Sequence, residues 1–220
     1  MGFLTLAEAA ERLGVTKRQV QYLVAQGKLH AVARGVIDDV SVDRFLATQG
    51  ESPARPWSEA TAWAAIAFLE GQEASWLGQS QRWRLRARLR ETAAGVLVGR
   101  ARERAVAYRF AGHPSTAPRL RSEIVDTAAG TTALGLTDTT AVDGYASRDA
   151  INGLVARHGL VPDDAGAFTI RATDMAMAVV TQLAHAGTVL AALDLAESLN
   201  PRERHIGLRA LDAALERFRD

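Results

Sequence analysis

Residues 4–29, LTLAEAAERLGVTKRQVQYLVAQGKL, decide the fold of the N-terminal region. Thr5 and Glu8 stand three residues apart, which is the spacing of a capping box at the start of a helix. The apolar side chains that follow recur on one face of a helix, and they are Leu6, Ala9, Ala10 and Leu13. Gly14 predicts the end of this helix, because glycine adopts positive φ without a steric cost.

A second short helix is predicted directly after this turn. Thr16 and Gln19 have the spacing of another capping box, and Gly27 predicts the helix end. The side chains expected to face the shared core are Val20, Leu23 and Val24. Two short helices joined by a glycine-containing turn form a helix-turn-helix, whose second helix enters the major groove of DNA.

The polar face of the second helix has the chemistry of a DNA-binding surface. Its predicted DNA-binding residues are Thr16, Lys17, Arg18, Gln21 and Tyr22. Lys17 and Arg18 can contact phosphate or guanine, and Gln21 can read adenine. Thr16 stands at the helix N-terminus, where free backbone N–H groups favour a phosphate. The alternative is a helical hairpin that binds protein, with its charged side chains only solvated.

A short wing and a third helix are predicted to complete this unit. The chain after the second helix is expected to extend and to turn around Arg34, and Lys28 and Arg34 are further predicted DNA contacts. Asp39 or Ser41 is expected to cap the third helix. Its inward-facing side chains are predicted to be Val42, Phe45 and Leu46.

The N-terminal stretch resembles the helix-turn-helix of the excisionase and MerR-like winged-helix family. The shared pattern is AA..LGV....V..L...GKL, and SVDRFL at residues 41–46 resembles the closing helix of that family. The resemblance implies a winged helix-turn-helix that binds double-stranded operator DNA. The wing sequence HAVARGVIDD lacks the aromatic residue and the second arginine often found there. The sequence also shows no heptad-patterned helix afterwards, unlike MerR activators, which dimerise through a coiled coil.

The stretch GESPARP at residues 50–56 predicts a domain boundary, because it holds two prolines and no apolar periodicity. We therefore expect a winged helix-turn-helix domain at residues 1–50, a linker at 51–56 and a C-terminal domain at 57–220.

The C-terminal domain is predicted to be mainly α-helical with small β-hairpins, so that the whole chain has an α+β fold. Alternating apolar residues predict a strand at 105–111. The expected helices lie at residues 118–127, 148–158 and 188–199, with a last helix beginning at Asn200. Asp143-Gly144 is expected to form a turn, and residues 163–166 to turn into a strand at 168–171. A helix followed by a hairpin is consistent with a second winged-helix-like unit.

The charge of the chain is unevenly distributed. Residues 1–125 carry 18 basic and 12 acidic side chains, a balance of +6, whereas residues 126–220 carry 8 and 13, a balance of −5. Arginine alternates with apolar residues over 82–90, where Ser80 as N-cap favours a helix. Arg84, Arg86 and Arg88 are candidate partner-binding residues, for protein or nucleic acid. A basic helix lying on the acidic half of the chain explains the same pattern.

Neither a catalytic nor a metal centre is recognisable in the sequence. Cysteine is absent, and the five histidines have no metal-ligand spacing. The sequence contains no HExxH, P-loop or GxSxG motif. We therefore expect no enzymatic activity, no metal and no cofactor. Because no apolar run approaches the length of a membrane span, we expect a cytoplasmic protein without a membrane partner.

The second half of the chain resembles AbiEi-like antitoxins, which are encoded beside a nucleotidyltransferase toxin. The stretches that carry the resemblance are VDGYASRDAINGLVARHGLV, FTIRATD and VLAALDLAESLNPRERHIGLRAL. The resemblance implies a repressor that autoregulates its operon and neutralises the toxin. We also expect either a homodimer formed through the C-terminal module or cooperative binding on repeated sites, because one small domain reading a single half-site buries little surface. Two other classes stay open: a stand-alone regulator or recombination-directionality factor, and a protein-interaction adaptor.

Overall fold

The computed structural model describes residues 2–25, 28–49, 55–136 and 142–220. Most of the predicted linker at 51–56, and the predicted helix end at Gly27, lie outside these residues. The described chain has the predicted α+β fold, with many helices and two small sheets.

The N-terminal region consists of three helices and a three-stranded sheet. Its elements are β1 (Phe3–Thr5), α1 (Leu6–Leu13), α2 (Lys17–Ala25), β2 (Ala31–Ala33), β3 (Val36–Asp38) and α3 (Asp39–Gln49). The strand order is β1-β3-β2, and all pairs are antiparallel. The predicted helix-turn-helix and wing are present, and β1, which the pattern analysis missed, extends the wing into a sheet.

Local sequence signals account for the ends of these helices. The Thr5 backbone N–H donates to Glu8 Oε2 at 2.7 Å, and the Glu8 N–H donates to Thr5 Oγ1 at 3.3 Å, which closes the predicted capping box. Gly14 has φ +65°, as predicted for the turn. The Gln19 N–H donates to Thr16 Oγ1 at 3.2 Å. The prediction that Leu46 faces the core is wrong. Its side chain is 37% exposed, because α3 turns it away from the core.

The C-terminal region contains two groups of helices around a second sheet. Its helices are α4 (Glu59–Leu69), α5 (Gln79–Arg90), α6 (Ala94–Ala101), α7 (Ala117–Glu123), α8 (Ala128–Ala133), α9 (Ile151–His158), α10 (Met177–Ala186), α11 (Val189–Ala196) and α12 (Pro201–Arg219). Its strands are β4 (Val106–Ala111), β5 (Val125–Asp126), β6 (Val142–Ser147), β7 (Val161–Pro162) and β8 (Phe168–Thr173). The strand order is β5-β6-β8-β4-β7.

This strand order contradicts the predicted hairpin after α9. Strand β4 lies between β7 and β8 and pairs antiparallel with both, so β7 and β8 do not pair with each other. Strand β6 pairs parallel with β8. The expected second winged-helix-like unit is therefore wrong, because the strands that follow α9 join partners from distant parts of the chain.

The predicted turn at Asp143-Gly144 is also wrong, because both residues lie inside β6. A Cβ on Gly144 would approach the Val125 carbonyl oxygen to 2.6 Å. Glycine is therefore required here by the close approach of strand β5, and a reversal of the chain is not its role.

Several predicted helix bounds need correction. Helix α5 begins after Gly78, so Ser80 lies inside it and is not its N-cap. Helix α7 ends at Glu123, because Val125 pairs with β6. Helix α11 ends at Ala196, and α10 was not predicted. The last helix has the predicted cap, in which the Arg202 N–H donates to Asn200 Oδ1 at 3.0 Å.

Strand β8 is buried on both faces. Phe168, Ile170 and Ala172 pack into a core with helices α7 and α9. The opposite face carries Thr169, Arg171 and Thr173, which meet the all-helical side of the domain. On that side α4 is buried almost all round and forms the centre of the largest core. The N-terminal region has its own core of residues between 4 and 45.

Within the described ranges, no single helix is both long and apolar enough to cross a membrane. Helices α10 and α11 reach that length and composition only as a pair, which is bent by 93°.

A buried ionic network joins the sheet to the helices. Arg104, in the turn after α6, contacts Asp194 Oδ1 at 2.7 Å and Glu197 Oε1 at 2.5 Å. Arg171 of β8 contacts Glu197 Oε2 at 2.8 Å and Asp194 Oδ1 at 3.1 Å. The Tyr145 hydroxyl donates to Asp194 Oδ1 at 2.6 Å and accepts from Arg104 Nε at 2.9 Å.

Opposite charges in this network offset part of the cost of burial, although burial still raises the pKa of Asp194. Burial disfavours the charged guanidinium of Arg104, but Glu197, Tyr145 and Asp194 raise its pKa above the usual range. Burial likewise opposes the charge of Glu197, yet Arg104 and Arg171 hold its pKa below the usual value. A buried ion pair gives little net stability over apolar packing, but losing one partner leaves an uncompensated charge.

Arg104→Met is therefore expected to lower the free energy of unfolding by about 3–5 kcal/mol, because the buried carboxylates of Asp194 and Glu197 would lose one of their two guanidinium partners and keep only Arg171. Urea denaturation measures this loss. Arg119→Met removes an exposed arginine of α7 and is the matched control, with an expected change within about 0.5 kcal/mol. Equal stability of the two variants would contradict the role given to the network.

Candidate nucleic-acid interface

The predicted DNA-binding residues of the second helix lie together on one exposed face. Lys17, Arg18, Gln21 and Tyr22 of α2 are spaced so that they share a side of the helix, and all are exposed. Tyr22 is 56% exposed although it is aromatic. The opposite face holds Val20 and Leu23, which are buried. The core therefore fixes the rotation of α2 and turns the polar residues to solvent.

The N-terminus of α2 is electrostatically unusual. The first turn of α1 carries Glu8, as the helix dipole favours, whereas the first turn of α2 carries Lys17 and Arg18 and no acid. Two cations beside the positive end of a helix dipole are unfavourable by themselves. A DNA phosphate at this end would interact favourably with both charges and with the free backbone N–H groups.

The wing presents one of the two predicted basic contacts to solvent. Arg34 is exposed in the turn between β2 and β3, where Gly35 has φ +82°. Lys28 is placed differently, because its Nζ forms a 3.0 Å salt bridge with Glu103 of the C-terminal region. Lys28 therefore contacts the other domain, and its half-exposed side chain is less available to DNA than Arg34.

The two regions also meet beside the wing. Arg44 of α3 donates to the Asp164 carbonyl, and His30 Nδ1 lies 3.1 Å from Asp164 Oδ2. Ligand atoms of His30, Asp38 and Asp164 lie within 4.8 Å of one another, so this is a group that could hold a metal ion. Burial raises the pKa of Asp38, and the Arg44 guanidinium lies close enough to offset the two carboxylates.

The arginine-rich segment forms the predicted helix, α5, and its arginines differ in their surroundings. Arg86 stacks over the Phe68 ring at 4.4 Å and pairs with Glu73 at 3.1 Å. Arg84 and Arg88 are exposed, and between α5 and α12 runs an open groove of about 590 Å³. Trp83 is 72% exposed on the same helix.

Sequence reasoning missed the features that depend on distant residues. The contacts of Lys28 and Arg44 with the C-terminal region join segments far apart in the chain. The half-buried Arg109 of β4, which lines a cavity, shows in the sequence only as one more arginine. Apolar and polar residues alternate around Arg109 and Arg171, and this pattern predicts strands. The pattern does not indicate which residues the polar faces of these strands contact.

Residues 3–50 match the family model described as a helix-turn-helix domain. No curated protein and no solved structure matches the chain. The N-terminal region is therefore a helix-turn-helix domain, which assigns DNA binding to it.

Arg18→Ala is expected to weaken specific DNA binding by about 1–3 kcal/mol if the guanidinium contacts a guanine, and to relax the preference at one base position. Competitive binding to operator variants measures both effects. The matched control is Arg55→Ala, which removes an exposed positive charge outside the helix-turn-helix. An unchanged base preference in the Arg18 variant would show that this side chain reads no base.

Lys17→Ala is expected to weaken binding to all sequences similarly, because a phosphate contact carries no sequence information. The slope of log affinity against log salt should fall by about one unit. Fluorescence anisotropy over a salt series measures the slope. A loss confined to the operator sequence would assign Lys17 to base recognition instead.

Proposed function

We propose that this protein is a DNA-binding antitoxin and transcriptional repressor. In this proposal the helix-turn-helix domain autoregulates the operon in the cytoplasm, and the C-terminal region neutralises a nucleotidyltransferase-type toxin. The observation that carries the proposal is the presence of two exposed basic surfaces on separately packed regions. One is the α2 face, and the other is the α5 face with Trp83, Arg84 and Arg88.

The α2 surface supports operator binding. Its exposed side chains include a guanidinium and an amide that can make bidentate contacts with bases, and a lysine that can meet a phosphate. A single domain of this size buries about 600–1,000 Å² on DNA, which limits the affinity of one copy. We therefore propose that two copies bind, through self-association or cooperatively on repeated sites.

The α5 surface supports a protein partner. Large exposed aromatic residues and arginines are the residue types that dominate protein interfaces. Trp83 exposes most of its ring although the neighbouring Leu85 and Leu89 are buried. The helix is thus anchored by its leucines, and it also exposes an aromatic ring and two arginines. Arg86 is part of the packing against Phe68 and Glu73, so we assign it a structural contribution.

The proposal assigns no catalytic step to the chain. Among the described residues, the buried charged groups of the C-terminal region are Arg104, Arg171, Asp194 and Glu197. They are joined in salt bridges that tie structural elements together. Structural ion-pair networks of this kind also perturb the pKa values of their members, and the proposal assigns these groups that role.

Two full-length variants separate the proposed roles. The first replaces Lys17, Arg18 and Gln21 with alanine, and the second replaces Trp83, Arg84 and Arg88 with alanine. The first is expected to lose operator binding and still protect cells that express the neighbouring nucleotidyltransferase toxin. The second is expected to bind the operator normally and to lose protection, with little change in thermal stability because exposed charges contribute little to folding.

Arg202→Ala with Arg209→Ala is the matched control for the second variant, because both arginines are exposed on α12. It should protect cells as well as the unmodified protein. Full protection by the α5 variant would remove this surface from the proposal, and operator binding by the α2 variant would remove the helix-turn-helix domain from operator recognition.

A further inference from the structure

We infer that the C-terminal region binds a small organic anion that carries hydroxyl groups, in a cavity that DNA binding and toxin neutralisation do not use. The cavity has a volume of about 330 Å³ and lies between the second sheet and helices α8 and α11. Its polar wall includes Arg109, Thr131, Thr132, Asp143, Thr169 and Arg171. Ligand pockets for small molecules begin at about this size.

Three arginines line the cavity, and they differ in whether their charge is already paired. Arg121 Nε lies 3.4 Å from Asp126 Oδ2. Arg171 contacts Asp143 Oδ1 at 2.9 Å and Glu197 Oε2 at 2.8 Å, so its guanidinium is engaged on both sides. Arg109 Nη1 donates to Thr169 Oγ1 at 3.0 Å, and Arg109 forms no salt bridge with any residue in the described part of the chain. Among the described residues that line the cavity, Arg109 is thus the arginine that no carboxylate pairs with.

The surroundings of Arg109 favour an anion. Burial and the nearby charges of Arg44 and Arg171 together lower the pKa of Arg109 to about 10, although Asp143 and Glu197 act in the opposite direction. The side chain is still charged at neutral pH. A carboxylate or phosphate beside it would offset both the burial and the repulsion, and a guanidinium binds such groups through paired N–H donors.

The rest of the wall favours hydroxyl groups on the same ligand. Thr131 and Thr132 of α8 and Thr169 of β8 supply hydroxyls that can donate or accept. Asp194 also lines the cavity, and its buried Oδ2 has no hydrogen-bond partner among the described residues. A ligand hydroxyl can supply the missing donor, and satisfying a buried acceptor is favourable.

The volume limits the size of the ligand. Since one water molecule occupies about 30 Å³ of the liquid, the cavity holds the equivalent of roughly ten waters. That space exceeds a single inorganic phosphate and suits an anion of a few carbon atoms. We therefore assign the site to a phosphorylated or carboxylated polyol.

Titration calorimetry with the full-length protein tests the inference. Glycerol 3-phosphate and glycerate carry the same kind of hydroxyls on different anions, so comparing them shows which anion the site prefers. Saturable binding of either, tighter than that of inorganic phosphate, is the expected result. Absence of binding by both, or inorganic phosphate binding equally well, would overturn the inference.

Arg109→Gln is expected to weaken binding of the tighter probe by about tenfold or more, because a charge-assisted hydrogen bond is lost. Arg119→Gln removes an exposed arginine of α7 and should bind like the unmodified protein. Thr132→Trp places a bulky ring at an exposed position of the wall, so it should block the cavity without changing the melting temperature. Unchanged affinity in either the Arg109 or the Thr132 variant would overturn the assignment.

Discussion

The C-terminal region depends on the placement of two guanidinium groups inside the protein. Arg104 and Arg171 each form salt bridges with both Asp194 and Glu197. The Tyr145 hydroxyl forms hydrogen bonds with Arg104 and Asp194. Charges removed from water are tolerated only where every partner is in position. Because these groups come from a turn after α6, two strands and the end of α11, the network connects the sheet to the helices. Helix α4 is connected to the same network, because Trp63 Nε1 donates to the Arg104 carbonyl and to Thr173 Oγ1, each at 3.0 Å.

This network explains why the two faces of strand β8 lie in different environments. The apolar residues of β8 fill one core, and its polar residues face the network and the cavity. The Arg171 guanidinium forms structural salt bridges, whereas Arg109 on the neighbouring strand forms a hydrogen bond with the Thr169 hydroxyl. Within the described ranges, Arg171 forms salt bridges and Arg109 forms none, and this contrast separates a structural position from a candidate ligand contact.

The DNA-binding domain differs from the C-terminal region in the placement of its charged side chains, which lie outside its core. Its small core turns the polar face of α2 to solvent, and the basic first turn of that helix is better satisfied by a phosphate than by the protein itself. Contacts of Lys28 and Arg44 with the C-terminal region connect this domain to the rest of the chain. These contacts are polar, as is common between domains of one chain.

The sequence by itself determined the features that a few neighbouring residues encode. The capping box at Thr5, the turn at Gly14, the cap at Asn200 and the exposed face of α2 follow from local spacing, and so did the helix-turn-helix. The predictions of a turn at Gly144 and of a hairpin after α9 are wrong, because these strands pair with strands that are distant in the sequence. Only the tertiary structure decided which arginines are paired and which line a cavity, since a salt bridge between residues about 90 positions apart leaves no periodic signal in the chain.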